Sequence, residues 1–272
     1  SFNLQLSASK KTVPSYSDLI QTVTPAGRAE QALWQGQASA NTDNSNLSAS
    51  GSIAWKIDDR NKLSFSPTAG YIDMQRESVD QRHWINGQTL DARQQSKTPF
   101  TATSHSLTWN FNPDERSRLE LTWISKHFGF RADTNREESI SGQIPTLYRN
   151  KQDRDLDSDF FKIDYKLGLS GGHDLKIGGH FSRSQENGEY AYWINGSPDT
   201  SLDALGMRRK VRGNEYRLFV QDDWRLNDAL AFNFGLSGID SKIDLEEGGY
   251  RGQTNYRLWS KKLMVTVHAN YV

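Results

Sequence analysis

The sequence contains no cysteine, so disulfides and thiolate metal centres are excluded. It has no apolar run approaching 18 residues, which excludes a transmembrane helix. No charged-then-apolar segment opens the chain, so no signal peptide is expected. Charge of one sign is also missing: 33 Lys and Arg balance 33 Asp and Glu, and no basic run stands out. Nucleic acid is therefore not an expected partner. Apolar residues make up only 35% of the chain and mean hydropathy is −0.76, too little for a large two-sided core. Yet there are 8 Trp, 10 Tyr and 12 Phe, more than a disordered chain carries. Many aromatics with little total apolarity require an architecture that wets most of its surface.

What is present is a period of two, with helical spacing hard to find. Phe2, Leu4, Leu6 and Ala8 alternate with polar residues, as do Leu47, Ala49, Gly51, Ile53, Trp55 and Ile57. Leu63, Phe65, Ala69 and Tyr71 follow the turn at Asp58-Asp59-Arg60-Asn61. Leu107, Trp109 and Phe111 lead into Asn112-Pro113-Asp114, a strong turn signal, answered by Leu119, Leu121 and Trp123. Phe161 to Leu169 and Leu175 to Phe181 flank Ser170-Gly171-Gly172, and a strand over 263–271 ends the series. The pattern predicts about ten strands of roughly 9–12 residues, the tilted span of a bilayer core. Short turns at 58–61, 112–117, 170–173 and 227–229 alternate with long polar segments at about 12–46, 74–101, 130–158, 184–214 and 241–257. These segments are read as loops, with 29–41 an extension of the first despite the alternation of Ala32, Trp34, Gly36, Ala38 and Ala40.

Such parity fits an all-β, antiparallel transmembrane β-barrel with short periplasmic turns and long extracellular loops, spanning 1–272 as a single barrel region. Both termini then lie on the short-turn side. Trp55, Trp109, Phe111 and Trp224 sit beside the short turns, as an interfacial girdle does.

The stretch Tyr216 to Leu236, YRLFVQDDWRLNDALAFNFGL, resembles a segment of TonB-dependent outer-membrane receptors. Phe219, Gln221, Asp222, Asp223 and Trp224 match a strand-end pattern of those barrels, and Gly235 and Leu236 match the return strand. Ser237 stands where an Arg usually follows. The stretches Asn46 to Phe65 and His173 to Phe181 are similar in style. The resemblance implies a bacterial outer-membrane location and uptake of a scarce solute such as a ferric siderophore. It also implies outer-membrane lipid and lipopolysaccharide as surroundings. An energy-coupling inner-membrane protein would be a partner only of the full-length parent, since no plug domain or TonB box is visible. The alternative is a stand-alone or engineered ten-stranded barrel acting as a passive pore or surface-interaction protein. A soluble carbohydrate-binding sheet is a third reading.

Candidate ligand contacts lie in the segments read as loops. Arg82-His83-Trp84-Ile85-Asn86-Gly87 is echoed by Ala191-Tyr192-Trp193-Ile194-Asn195-Gly196, and Asn-Gly favours a hairpin turn. Arg82, Trp84, Tyr190, Tyr192, Trp193, Arg208 and Arg209 form the candidate set, because Arg offers paired donors and Tyr and Trp a large contact area for an anionic aromatic chelate. Asp153, Asp155, Asp157 and Asp159 are read as a solvated loop face partnered by Arg149, Lys151 and Arg154. The six histidines show no metal-ligand spacing, so neither metal nor other cofactor is expected. No Gly-x-Ser-x-Gly, P-loop or nucleophile–base spacing is present, and no enzymatic activity is expected.

Overall fold

A computed structural model describes residues 1–23, 31–84, 86–199, 208–227, 229–249 and 252–271. These form one antiparallel sheet and no helix. Its strands are β1 (Phe2–Val23), β2 (Gln31–Lys56), β3 (Asn61–Trp84), β4 (Thr89–Phe111), β5 (Ser117–Ile140), β6 (Thr146–Gly168) and β7 (His173–Ile194). There follow the two-residue β8 (Ser197–Pro198), then β9 (Arg208–Arg225), β10 (Leu230–Gly249) and β11 (Gly252–Tyr271). The order β1-β2-β3-β4-β5-β6-β7-β9-β10-β11 is a plain meander, with β8 hairpinned back on β7. Among the described residues, β1 and β11 each have a ladder neighbour on one side only.

The ten long strands match the number expected, but they run 18 to 26 residues, about twice the expected length. Most of the segments read as loops are ladder. Thr12 to Val23 pairs with Gln31 to Asp43, so 31–41, read as loop, is the start of β2. Met74 to His83 pairs with Thr89 to Thr98, and Arg131 to Glu138 with Thr146 to Asp153. The physical reason is that ladder hydrogen bonds satisfy backbone groups whatever the side chains are. A strand wet on both faces therefore loses the apolar alternation without losing the strand. Residues 24–30, 200–207, 250 and 251 lie outside the described residues. Two further connections opposite the short turns are brief, with 86–88 and 141–145 as their described residues.

Register divides the side chains into two faces. Phe2, Ile53, Phe65, Leu107, Trp123, Phe161, Phe181 and Tyr216 are cross-strand neighbours in one row of one face. The next row toward the short turns carries Trp55, Leu63, Trp109, Leu121, Ile163, Gly179 and Leu218. On β3 the apolar stretch, Leu63 to Tyr71, covers about 30 Å of strand, or about 23 Å of height at barrel tilt. This belt sits beside the short turns and is exposed: Trp55 61%, Ile163 48%, Phe161 47% and Leu218 72%. The girdle aromatics all lie on it, with Trp109 stacked on Phe111 at 5.7 Å and Trp224 on Phe232 at 5.6 Å. The first and last strands both place their chain ends at the short-turn side, where Phe2 pairs Ile53 and Tyr271 pairs Leu230.

The opposite face is polar beside the short turns and over much of its length, with an apolar patch at mid-height where Ile72 pairs Phe100 and Phe100 lies 5.0 Å from Phe130 and 6.3 Å from Phe128. Beside the short turns it bears Ser50, Ser64, Ser66, Ser106 and Thr108 on β2 to β4. On β5 to β7 the same face carries charges: Lys162 Nζ reaches Asp164 at 2.5 Å and Glu120 at 3.5 Å, and Arg118 reaches Glu120 at 3.0 Å. Among the described residues no large side chain is fully buried, and the buried apolar residues are Ala40, Leu90 and Ala92. The sheet is held by its ladders and its cross-strand pairs rather than by a packed interior.

Candidate ligand-contact surfaces

The strand-length finding moves the candidate contacts off loops. Arg82 and Trp84 end β3, Tyr190, Tyr192 and Trp193 end β7, and Arg208 and Arg209 begin β9. All lie at the distal end of the sheet, the end away from the short turns. Their faces differ, because a step of one residue reverses a strand side chain. Arg82, Trp84, Tyr190, Tyr192 and Arg209 share the polar face, whereas Trp193 and Arg208 belong to the face that carries the belt.

Three residues of the set are brought together. Tyr190 leans over buried Gly188, where an added Cβ would stand 3.5 Å from the Tyr190 ring and 3.9 Å from Arg209 Cβ. Arg209 also reaches Glu247 at 3.8 Å. Tyr192 lies in the next row, opposite Asn150, whose Oδ1 is buried without a hydrogen-bond partner. Arg82 and Trp84 do not join them: β4, β5 and β6 intervene, a distance of about 19 Å at ladder spacing. Arg82 is engaged locally, its Nε 3.0 Å from Asp80 and its guanidinium 4.6 Å over the Trp34 ring. Asp80 raises the Arg82 pKa further above its already high value. Asn150, Tyr148 and Arg136 share this face and were not singled out from the sequence. Carrying the even-number phase of β6 and β5 through the polar segments would have found them.

Both Asn-Gly segments are hairpin turns, as expected. Asn195 (φ 50°) and Gly196 (φ 80°) both adopt the left-handed region, the signature of a type I′ turn. Asn195 Oδ1 accepts the Leu147 N–H at 2.9 Å, tying this hairpin to β6. At the β3–β4 turn, Gly87 (φ 84°) donates its N–H to Trp84 O at 3.0 Å.

The acidic run is not a loop face. Asp153, Asp155, Asp157 and Asp159 alternate along β6 on the belt side, above the belt, so one strand aligns four carboxylates. Their partners come from β5: Arg131 stands 3.3 Å from Asp153, and His127 Nδ1 2.7 Å from Asp157. The expected partners go elsewhere, Arg149 and Lys151 to Asp133 and Arg154 to Glu186. The Arg149 hydrogen bond holds the Asp133 carboxyl below the usual carboxylate range. Among the described residues no group of three or more His, Asp or Glu is arranged to hold a metal ion.

On the belt side of the distal end, two cross-strand rows floor a trough of about 610 Å³. One row runs Gln95, Asn135, Arg149, Trp193, and its neighbour runs Arg93, Glu137, Leu147. The Arg149 guanidinium lies 5.7 Å over the Trp193 ring.

No family model matches the chain, and no curated protein matches it in sequence. Solved structures similar to it include the outer membrane protease OmpT from Escherichia coli, at 10% identity over 99% of this chain and 96% of that one, with a TM-score of 0.29. The ferric yersiniabactin uptake receptor FyuA from Yersinia pestis is 10% identical over 87% of this chain and 42% of that one, at TM-score 0.44. The siderophore receptor PiuA from Acinetobacter baumannii is 8% identical over 98% and 46%, at 0.42. The chain spans less than half the length of these two receptors. One of the three is a protease and two are receptors, and likenesses at this level select no one of these activities.

Proposed function

We propose that the chain is part or all of the wall of an outer-membrane β-barrel, and that it serves the uptake of a scarce solute such as a ferric siderophore. One observation carries the membrane part: a continuous belt of exposed aliphatic and aromatic side chains on a single face, beside the short turns. Exposed apolar area on that scale marks a membrane or protein contact, and water does not tolerate it. The polar opposite face then lines a lumen, and the strand extensions beyond the belt stand clear of the bilayer. Closure of the sheet, by pairing β1 with β11 or with further strands, satisfies the two open edges that lipid would not tolerate.

For the solute, the reading rests on the distal polar face. Tyr190, Tyr192 and Arg209 supply two phenol rings and a guanidinium, and Asn150 an unmet acceptor, to an anionic aromatic chelate. Arg82 and Trp84 would touch a ligand large enough to span the lumen; Trp193 and Arg208 would contribute from the outer side. No chemical step is assigned to any of these residues.

The test is folding from urea into detergent micelles or vesicles, read by heat-sensitive gel mobility, followed by titration with ferric siderophores of defined class. A shifted, heat-sensitive band and saturable binding weakened by Tyr192→Ala support the reading. Cooperative folding in plain buffer overturns the membrane assignment. A folded barrel that passes steady unitary currents and binds no chelate replaces uptake with a passive pore.

A further inference from the structure

We infer that the distal trough on the belt side is a saccharide-binding site, with Gln95, Asn135, Glu137, Arg93 and Trp193 as its contacts. Antiparallel register places Gln95, Asn135, Arg149 and Trp193 side by side on four successive strands. Arg93 and Glu137 stand opposite each other one row further out. The result is a channel about four strands wide, floored by planar polar groups and closed at one end by a half-buried indole.

The chemistry of the floor selects the ligand class. Two carboxamides provide both donors and acceptors, a guanidinium only donors, and a carboxylate only acceptors. That mixture matches neighbouring sugar hydroxyls, each of which donates and accepts. It is a poor match for an anion, because Glu77 and Glu137 flank Gln95 and Asn135, and Glu77 accepts from Gln95 Nε2 at 3.2 Å. It is equally poor for an apolar ligand, since Leu147 and Trp193 are the large apolar side chains that the two rows contribute. Trp193 offers a flat apolar surface of the kind on which the C–H face of a pyranose rests.

The trough has a rigid support. Arg149 is fixed from two sides, by Asp133 at 3.2 and 2.8 Å through Nε and Nη2 and by the Trp193 ring, and so orients the indole. Asn195, two residues beyond Trp193, ties the hairpin to Leu147 on the trough wall. Arg93 has no ion-pair partner among the described residues and stays available. Its volume of about 610 Å³ is within the usual range for small-ligand sites.

The source of the sugar depends on the proposed membrane reading; the site itself does not. If the belt is in lipid, the trough stands at the level of outer-leaflet glycolipid head groups. A free oligosaccharide has the same chemistry.

The experiment titrates the detergent-folded chain with free hexose and heptose oligosaccharides, and separately with lipopolysaccharide micelles, reading Trp fluorescence and heat. Saturable binding of a free oligosaccharide is expected, weakened about tenfold or more in Asn135→Leu and in Trp193→Ala. Gln95 and Asn135 are exposed, so the Asn135→Leu and Gln95→Leu chains fold even if the Trp193 variant does not. Binding of intact glycolipid with no response to free sugar overturns the inference, since the belt alone would hold the lipid. Equal affinity in wild type and in Asn135→Leu overturns it as well. A chain that folds in plain buffer and still binds the oligosaccharide keeps this site and removes the membrane reading, so the two failures are distinguishable.

Discussion

Replacing Leu218 by lysine asks directly what surrounds the belt. Leu218 is 72% exposed, and on the same row Gly179 and Gly238 flank it, so a longer side chain meets no steric obstacle from a bulky neighbour. In water such a surface change shifts stability by less than about 0.5 kcal/mol. In the middle of a bilayer the same cation costs about 2–4 kcal/mol, a factor of about 30 to 1,000 in the folding equilibrium. Val79 shares the face but lies on the distal part of β3, above the belt, and is 40% exposed. Val79→Lys is therefore expected to cost less than about 0.5 kcal/mol. The assay is equilibrium unfolding from vesicles in denaturant, with wild type, Leu218→Lys and Val79→Lys compared at equal lipid. A Leu218→Lys penalty no larger than that of Val79→Lys refutes the placement of the belt in lipid.

The two glycines beside Leu218 give a steric contrast. An added Cβ at Gly179 would stand 2.7 Å from Arg217 O and 2.8 Å from Leu218 Cδ2, while at Gly238 it would meet nothing within 4 Å. Gly179→Ala should cost about 1–3 kcal/mol and Gly238→Ala close to nothing, read as shifts in denaturation midpoint. Removing the Asn195 side chain breaks its bond to Leu147 and leaves a left-handed residue without Asn, so Asn195→Ala should cost about 1–2 kcal/mol and speed hydrogen exchange at the end of β7. At the short turns Asp58 accepts from Asn61 and from the Arg60 and Asn61 N–H groups, and Asp114 from the Arg116 N–H and Ser117 Oγ, so both carboxyls titrate below their ordinary value. A depressed folded pKa gives stability that is present above the unfolded value, about pH 4, and is lost as pH falls through the folded one. Asp58→Asn with Asp114→Asn should flatten that acid-side loss, and an unchanged pH profile would remove the turns as its source.

The half of each strand nearer the short turns was legible because one face there is apolar and the other polar. Leu63, Phe65 and Tyr71 announce themselves against Ser64, Ser66 and Thr68, and the turns between strands carry Asn, Pro, Asp and Gly. The distal half was not, since both faces are wet there. In Asp153-Arg154-Asp155-Leu156-Asp157 the alternation is acid against other residues, a pattern that polarity alone reads as loop. The clearest exception was visible: Trp34, Gly36, Ala38 and Ala40 keep the period, and the register places them on β2 opposite Trp84, Arg82, Asp80 and Ser78. The candidate contacts share one end of the sheet, but register divides them between its two faces. Only pairing separates Tyr192 from Trp193, or sets Arg82 far from Tyr190.

Because the ladders continue past the belt, the distal end is a stiff palisade and not a set of tethers. Flexible loops must be ordered before they grip a ligand, and that entropy is subtracted from affinity. Here the backbone on either side of Asn135, Arg149 and Trp193 is already fixed by hydrogen bonds on both edges. Recognition at this end should therefore proceed nearly as lock and key, with association rates set by diffusion and access. Selectivity then comes from the spacing of the strands themselves, a ruler of about 4.8 Å against which a ligand's groups either fall in step or do not.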